Sequence, residues 1–290
     1  MSAMETFGKG KFEGVLLASD FDNTLVYTKG ALDAGSTEIP PMCARNREAL
    51  DYFTQNGGYF SISTGRALPA FARYAKDLPI SAPCVIANGA GIYDFRAGEY
   101  VETAFLDART RAHVAALLER FPRLPFEIYH TDRRIHAMHP NRYIENHEHL
   151  TRAGCVVIED FAEVDFPLVK LLFEDDREKL DEVCAFIRAQ DWSGNYELIY
   201  SADHLLEMTA KGATKGEMVL RLARRLGVGR EDIYCIGDHG NDVSMAEISA
   251  LRFAPENAIA EMKALPGMRV VSHCADGAVA DVVEILDAKY

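Results

Sequence analysis

Four short apolar runs, each followed directly by a polar or glycine-rich turn, constrain this chain of 290 residues more than any other feature. Runs that are apolar on both faces are typical of buried parallel strands. Helical patterns lie between some of them, as expected when crossover helices join parallel strands. The runs lie at 15–19, 59–63, 84–87 and 233–236, and the helical patterns at 41–55, 68–78 and 214–226. We therefore expect an α/β fold whose parallel sheet is covered on both faces.

The stretch between about residues 95 and 205 follows a different pattern. Helices alternate here with paired strands, and the last strand pair surrounds a turn at 201–203. This pattern predicts an α+β unit inserted into the α/β unit. We expect residues 1–94 and 206–290 to form one domain and residues 95–205 to form the other.

The charge balance argues against one large class of partner. Lys and Arg number 31 against 44 Asp and Glu, a net charge of −13, whereas nucleic-acid-binding proteins need a basic surface. No stretch approaches the roughly 18 consecutive apolar residues of a membrane-spanning helix, so we expect no membrane contact. The six cysteines are scattered without a CxxC pair, which is typical of reduced thiols in a cytoplasmic protein. A monomer and a homodimer both remain open.

The residues after each run form the candidate site, because ligands of open parallel sheets bind beyond the carboxyl ends of the strands. Asp20 and Asp22 follow the first run. They could supply a nucleophile and a separate general acid–base, or only form a turn. Asp238 and Asp242 follow the fourth run. One of this pair could bind Mg²⁺ together with Asp20, or both could cap a helix. The first turn lacks GxGxxG and the chain lacks GxxxxGK[ST], which disfavours a dinucleotide site and a P-loop.

A lysine begins the helical pattern that follows the insert. Thr214 and Glu217 form a T-x-x-E capping box, which places Lys215 in the first turn of a helix. A cation at this end opposes the helix dipole, an arrangement that makes sense if both attract a phosphate dianion. An ordinary surface lysine is the alternative. Thr64 and Gly65, after the second run, offer a hydroxyl and a backbone amide to another phosphate oxygen.

Taken together, these segments resemble the four motifs of the haloacid dehalogenase superfamily. The motifs are DFDNT at 20–24, the threonine of STGR at 63–66, the lysine of AKGATKG at 210–216, and GDHGND at 237–242. NGA at 88–90 and LEMTAKGATKG at 206–216 resemble the Cof-type phosphatase branch in particular. One departure is Asn23, where members of that branch more often have glycine. The resemblance implies a Rossmann-like parallel-sheet core, with the insert as an α+β cap domain in the second cap position.

The resemblance also implies two-step phosphoryl transfer with Mg²⁺ as the cofactor. Asp20 would be the nucleophile that becomes an aspartyl-phosphate, and Asp22 the acid that protonates the leaving alkoxide and then activates water. Mg²⁺ would be bound by Asp20, by the backbone carbonyl of Asp22 and by Asp238. Asp242 would support this acidic site by orienting water or the lysine. The residues that would hold the phosphoryl oxygens are Thr64, Gly65, Lys215 and Asn241.

These features favour Mg²⁺-dependent hydrolysis of a small phosphorylated metabolite, with sugar phosphates as the substrate class. A phosphomutase, or a non-catalytic sugar-phosphate sensor on the same fold, is the alternative. Segment 109–152 carries eight basic against five acidic residues, so we expect it to face the substrate. His239, within GDHGND, could contact substrate or pack the loop. Candidate substrate contacts in the insert are Arg133, His136, Asn141 and Arg142.

Overall fold

The computed structural model describes residues 10–36 and 38–290, which contain fourteen strands and ten α-helices. The strands are β1 (Leu16–Ser19), β2 (Tyr59–Ile62), β3 (Cys84–Ile86), β4 (Gly91–Asp94), β5 (Glu99–Thr103), β6 (Phe126–Tyr129), β7 (Ile135–Met138), β8 (Val156–Val157), β9 (Lys170–Glu174), β10 (Tyr196–Ala202), β11 (Leu205–Ala210), β12 (Ile233–Ile236), β13 (Arg252–Pro255) and β14 (Met268–Val271). The α-helices are α1 (Thr28–Asp33), α2 (Ala44–Gln55), α3 (Leu68–Ala75), α4 (Thr110–Arg120), α5 (Arg142–Thr151), α6 (Arg177–Arg188), α7 (Lys215–Leu226), α8 (Val243–Ile248), α9 (Ala260–Lys263) and α10 (Ala278–Lys289). None of these helices is both long enough and apolar enough to cross a membrane.

Five parallel strands form the first sheet, in the order β14–β13–β12–β1–β2. The sheet is covered on both faces because alternate residues of its short apolar strands point in opposite directions. Leu17 packs into a cluster with residues of α2 and α10, whereas Leu16 and Ala18 of the same strand pack with residues of α7. The expectation of an α/β fold with a Rossmann-like parallel core is confirmed.

The third apolar run forms a strand of a different sheet. β3 pairs with β4, and β4 with β5, in a separate three-stranded antiparallel sheet. A single parallel bridge joins Ser63 to Val85, and the Thr64 N–H donates to the Val85 carbonyl at 2.9 Å. The strand ends early because Ala87 and Asn88 have left-handed φ angles of 50° and 54°, which turn the chain. That turn brings the NGA segment beside Thr64.

The remaining six strands form a six-stranded sheet, in the order β10–β11–β9–β6–β7–β8. All neighbours in it are antiparallel except β7 and β8. One face packs against α4 and α6 through residues such as Phe126 and Phe173. The opposite face packs against α3 and the turn after β3. Its residues Tyr129 and Leu172 belong to one buried cluster with Ala70 and Ala87. The six-stranded sheet therefore lies over the carboxyl edge of the five-stranded parallel sheet.

Candidate active site

Three carboxylates meet at the carboxyl edge of the parallel sheet. β1 and β12 are neighbours, so the residues that follow them are brought together. Asp20 directly follows β1, and its backbone N–H donates to the Ile236 carbonyl at 3.0 Å. Side-chain oxygens of Asp20, Asp238 and Asp242 lie within 4.8 Å of one another, and all three residues are buried.

Lys215 is held between two of these carboxylates. Its Nζ donates to Asp20 Oδ1 at 2.7 Å and to Asp242 Oδ1 at 2.6 Å, and only 1% of its side chain is exposed. Burial lowers the pKa of Lys215, but the two carboxylates outweigh that effect and raise it overall, so the ammonium group stays charged. Lys215 is thus a buried active-site cation at the first position of α7, and the surface alternative is wrong.

Asp242 also orders the loop that follows β12. Its Oδ2 accepts the backbone N–H groups of Asp238 and His239 at 3.0 and 3.1 Å. Glycine is needed at position 237, since a Cβ there would lie 2.4 Å from the Cβ of Asp242. One oxygen of Asp242 therefore fixes the loop while the other holds Lys215.

A second close approach positions the start of α7. Gly89 has a φ of +99°, and a Cβ there would lie 2.4 Å from the carbonyl carbon of Thr214. The Thr214 hydroxyl accepts the N–H of Glu217 at 3.2 Å, which confirms the predicted N-cap. The Glu217 carboxylate contacts Arg221 at 3.1 Å instead of reaching back to Thr214. The predicted capping box is therefore only half formed, because an ion pair one turn along the helix engages the glutamate.

Asp22 lies in the same cleft as Asp20 but is paired with an arginine. Arg66 donates from Nε and Nη2 to the two oxygens of Asp22, both at 2.7 Å. This bidentate contact fixes the plane of the carboxylate. The guanidinium also lies over the rings of Phe21 and Tyr74, at 5.7 and 5.6 Å from their centroids. Sequence reasoning missed Arg66, although it is the last residue of STGR.

Asn23 adopts a backbone conformation that favours glycine, the residue more often found at this position of the motif. It adopts a left-handed φ of 57°, which asparagine tolerates better than most residues. Its Oδ1 accepts the backbone N–H of Lys29 at 2.7 Å and the hydroxyl of Thr28 at 3.2 Å, which anchors the start of α1. Thr24, the next residue, donates its hydroxyl to Asp238 at 3.0 Å and so joins the first and fourth motifs.

The other phosphate-binding candidates lie around the same cleft. Thr64 is buried, and its hydroxyl oxygen accepts the N–H of Arg66 at 3.1 Å. Gly65 and Asn241 both line the cleft, whereas Thr64 and Lys215 lie beside lining residues without lining it themselves. Asn241 donates to the side-chain oxygen of Asn88 at 2.9 Å. Asn88, the first residue of NGA, in turn donates to Glu207 of the six-stranded sheet at 2.5 Å and so connects the loop after β12 to that sheet.

The cleft lies between the two sheets and has a volume of about 310 Å³. This is at the lower end of the range for small-molecule sites. One wall carries Asp20, Asp22, Asp238, Arg66 and His239. The facing wall comes from the six-stranded sheet and α5. Its residues include Tyr129, His147, Lys170, Leu172, Leu205 and Glu207.

The four insert residues predicted to contact substrate lie outside the lining of this cleft. Asn141 caps α5 by accepting the N–H of Ile144 at 3.1 Å, and Arg142 contacts Asp176 at 3.2 Å beside a separate groove. The ring of His136 contacts that of His130 at 3.1 Å, and Arg133 adopts a left-handed φ of 71° after β6. Segment 109–152 does reach the cleft, but none of its eight arginines lines it and His147 is its basic contribution.

The buried acidic cluster fits a divalent cation. When Asp20, Asp238 and Asp242 are all ionised, they carry three negative charges against the one positive charge of Lys215, so the cluster has a net charge of −2. Burial, and after it the neighbouring carboxylates, raise the pKa of Asp20 well above its ordinary value and that of Asp238 to about 7. Carboxylate oxygens are the ligands that Mg²⁺ prefers. Asp20 and Asp238 could hold such an ion beside Asp242, whose two oxygens already accept from Lys215 and the loop amides. The Asp22 carboxylate is engaged by Arg66, which leaves its backbone carbonyl as the candidate ligand.

Comparison with known proteins identifies the family of this chain. The family model of haloacid dehalogenase-like hydrolases matches residues 17–283. The chain is 26% identical to the 5-amino-6-(5-phospho-D-ribitylamino)uracil phosphatase YwtE of Bacillus subtilis (strain 168), over 94% of this chain and 99% of that protein. It is 27% identical to the putative phosphatase YxeH of the same organism, with the same coverage of 94% and 99%. The solved structure of BT4131, a subclass IIB sugar phosphatase, has a TM-score of 0.78 at 19% identity and covers 94% of this chain and 99% of its own.

The chain belongs to the haloacid dehalogenase-like hydrolases. Its fold is that of solved members of the superfamily, and the resemblance inferred from the four motifs is confirmed. The protein is therefore an enzyme of this class. Its relatives named as phosphatases support the predicted class of phosphoric monoester hydrolase.

Proposed function

We propose that this protein is a Mg²⁺-dependent phosphatase that hydrolyses a small phosphate monoester, with sugar phosphates as its substrate class. The observation that carries the proposal is Lys215, buried between Asp242 and Asp20, the second of which lines the cleft. A buried ammonium group beside a carboxylate nucleophile offers charge to the oxygens of a transferring phosphoryl group. In this proposal residues 1–94 and 206–290 act as the hydrolase core, and residues 95–205 act as the cap that closes over the substrate.

The reaction divides into two displacements at phosphorus. In the first, a carboxylate oxygen of Asp20 attacks and the bond to the ester oxygen breaks. Asp22, protonated on the oxygen that Nη2 of Arg66 otherwise contacts, gives its proton to the leaving alkoxide. The product is an aspartyl-phosphate. In the second, Asp22 removes a proton from water, whose oxygen attacks the same phosphorus atom and releases inorganic phosphate. Asp20 returns as a carboxylate and Asp22 as the acid.

The other residues hold the phosphoryl group in line with Asp20. Gly65 and Asn241 line the cleft and would contact its oxygens directly. Lys215 and Thr64 lie beside the lining residues Asp20 and Arg66 and would reach its oxygens from there. Mg²⁺ bound by Asp20, Asp238 and the backbone carbonyl of Asp22 would neutralise developing charge on the phosphoryl group. Positioning and charge neutralisation dominate catalysis of phosphoryl transfer.

The decisive experiment is a screen for released phosphate over sugar phosphates, p-nitrophenyl phosphate and the substrate named for the YwtE relative. We expect turnover with Mg²⁺, loss in EDTA, and recovery when Mg²⁺ is restored. The Asp20→Asn variant should lose at least about a thousandfold in kcat. Turnover no faster than that of Asp20→Asn across the panel would refute the proposal. Transfer of the phosphoryl group to a second position on the sugar would indicate a phosphomutase.

The six cysteines also bear on where the protein works. All six are unpaired in the structure, and four of them are buried. Unpaired thiols are typical of reducing compartments. We accordingly propose a cytoplasmic location.

A further inference from the structure

The face of the six-stranded sheet that looks onto the cleft carries buried charged side chains. In β9, with the sequence KLLFE, the second and fourth residues pack against the helices of the insert. Successive side chains of a strand point to opposite faces, so Lys170, Leu172 and Glu174 lie on the cleft side. The register places Glu127 of β6 and Glu207 of β11 on either side of Leu172. Four buried charged residues therefore share this face.

Each cation on this face has a carboxylate partner. Lys170 Nζ lies 3.0 Å from Glu207 Oε2, and each of these side chains is 3% exposed. His147, from α5, lies with its Nδ1 at 3.1 Å from Glu127 and 3.3 Å from Glu174. The Lys170 ammonium also lies over an aromatic ring of the same sheet. The positive charges of the face are therefore already compensated.

The net charge of this face is not positive. Three glutamates against Lys170 and His147 give −1, or zero when Glu174 takes up a proton, and burial does raise the pKa of Glu174. Burial lowers the pKa of His147, but its contacts with Glu127 and Glu174 outweigh this and raise it to about 10. His147 is thus charged at neutral pH. Arg66, on the opposite wall, is also paired. A second anionic group on a substrate meets no uncompensated lysine or arginine in the cleft lining of the described residues.

Glu207 connects this face to the catalytic loop. Its Oε1 accepts a hydrogen bond from Asn88 at 2.5 Å, and Asn88 in turn accepts one from Asn241 at 2.9 Å. Asn241 is a candidate phosphate contact, and Glu207 and Lys170 line the same cleft as Asp20. The pair is therefore placed to meet the leaving group of an ester whose phosphorus lies at Asp20.

We propose that Lys170 and Glu207 recognise the hydroxyl groups of a neutral sugar or polyol leaving group, and that this face rejects a leaving group with a second anionic charge. An ammonium group donates to a hydroxyl oxygen and a carboxylate accepts from a hydroxyl hydrogen, so a neutral polyol satisfies both without disturbing the ion pair. A carboxylate or second phosphate on the leaving group is repelled by the glutamates. The proposal rests on the phosphatase function above and names the substrate class of that same site.

Two phosphate esters that differ in one group provide the test. Sorbitol 6-phosphate ends in a neutral CH₂OH where 6-phosphogluconate ends in a carboxylate. We expect kcat/KM to favour sorbitol 6-phosphate by about tenfold or more, the effect of one like charge at cleft distances with a dielectric constant near 20. If neither ester turns over, their inhibition constants against p-nitrophenyl phosphate hydrolysis give the same ratio.

Two variants separate recognition from a structural role because they change the charge in opposite directions. Glu207→Gln removes one negative charge and should lower the preference for the neutral ester several-fold. Lys170→Met removes one positive charge and should raise that preference. Glu182→Gln is the matched control, since Glu182 is exposed on α6 against the other face of the sheet, and it should leave the ratio unchanged. Circular dichroism of each variant checks that it is folded.

The outcomes distinguish the two levels of the proposal. Opposite shifts of the ratio in Glu207→Gln and Lys170→Met support recognition by the pair. A wild-type ratio within twofold of one, or shifts of the same sign in both variants, overturns it while the phosphatase function stands. Absence of turnover with every ester, p-nitrophenyl phosphate included, overturns the phosphatase function itself, and the substrate class falls with it.

Discussion

Replacing Lys215 by methionine removes a buried ammonium group and keeps most of the volume of its stem. The ammonium lies 2.7 and 2.6 Å from Asp20 and Asp242, whose side chains are only 8% and 0% exposed. At an effective dielectric constant of about 20, each contact supplies about 6 kcal/mol of Coulomb attraction. Desolvation of the three groups offsets much of this. Breaking a buried ion pair from one side costs roughly 3–5 kcal/mol, which we expect for Lys215→Met.

The assay is urea unfolding followed by circular dichroism, in EDTA so that no metal masks the loss. A decrease of roughly 3–5 kcal/mol in the free energy of unfolding is large, because this free energy is typically about 5–15 kcal/mol. Lys211→Met is the matched control, because Lys211 is 64% exposed and its pair with Glu197, at 2.8 Å, lies at the surface. That variant should lose no more than about 1 kcal/mol.

Mg²⁺ adds a second readout to the same experiment. A divalent cation among the three aspartates replaces the missing positive charge, so added Mg²⁺ should restore part of the stability of Lys215→Met. A loss of less than about 1 kcal/mol in EDTA would refute the reasoning, since it would mean that the aspartates tolerate burial without a counter-ion.

Three further predictions concern other parts of the molecule. Because the pKa of His147 is raised from 6.5 to about 10 in the folded protein, its charge stabilises the fold below pH 6.5. The stability difference between wild type and His147→Gln, at most about 5 kcal/mol, should therefore shrink as pH rises from about 6.5 to 10 in urea titrations, and a pH-independent difference would contradict this. Gly89→Ala should cost roughly 1–3 kcal/mol more than Gly98→Ala by thermal unfolding. Both glycines have left-handed φ but only Gly89 faces backbone at 2.4 Å, so equal losses would exclude the clash. Arg66→Gln should lower kcat for p-nitrophenyl phosphate by about tenfold or more through misplacement of Asp22, with KM nearly unchanged, and an unaltered kcat would show that the pairing is dispensable.

The positions of the motif aspartates could be predicted from the sequence for a physical reason. Each follows a short apolar strand, and parallel strands bring their carboxyl ends to one edge. The order that places β1 beside β12 then brings Asp20 to Asp238 and Asp242. The capping threonine likewise places Lys215 at the start of α7. These are consequences of backbone geometry, which short-range patterns determine.

The side-chain pairs across the cleft could not be predicted in this way. Arg66 and Asp22 are 44 residues apart, and Asn88 and Glu207 are 119 apart, so no local pattern joins them. Three of the expected substrate contacts, Arg133, Asn141 and Arg142, lie in turns or at the start of a helix, and His136 lies in β7. Lys170 and Glu207 of the cleft wall lie within β9 and β11. A signal did exist, since a lysine and a glutamate at the two ends of the apolar run KLLFE indicate charges buried on one face.

The division of β9 and β11 into two faces separates two kinds of selective pressure. Residues that point toward α4 and α6 hold the insert together, so their replacement endangers folding. Residues at positions 170, 172, 205 and 207 line the cleft, where an exchange alters what the leaving group meets. Single substitutions at alternate positions of these strands can therefore change which leaving group such an enzyme accepts, while the residues that pack against α4 and α6 stay the same.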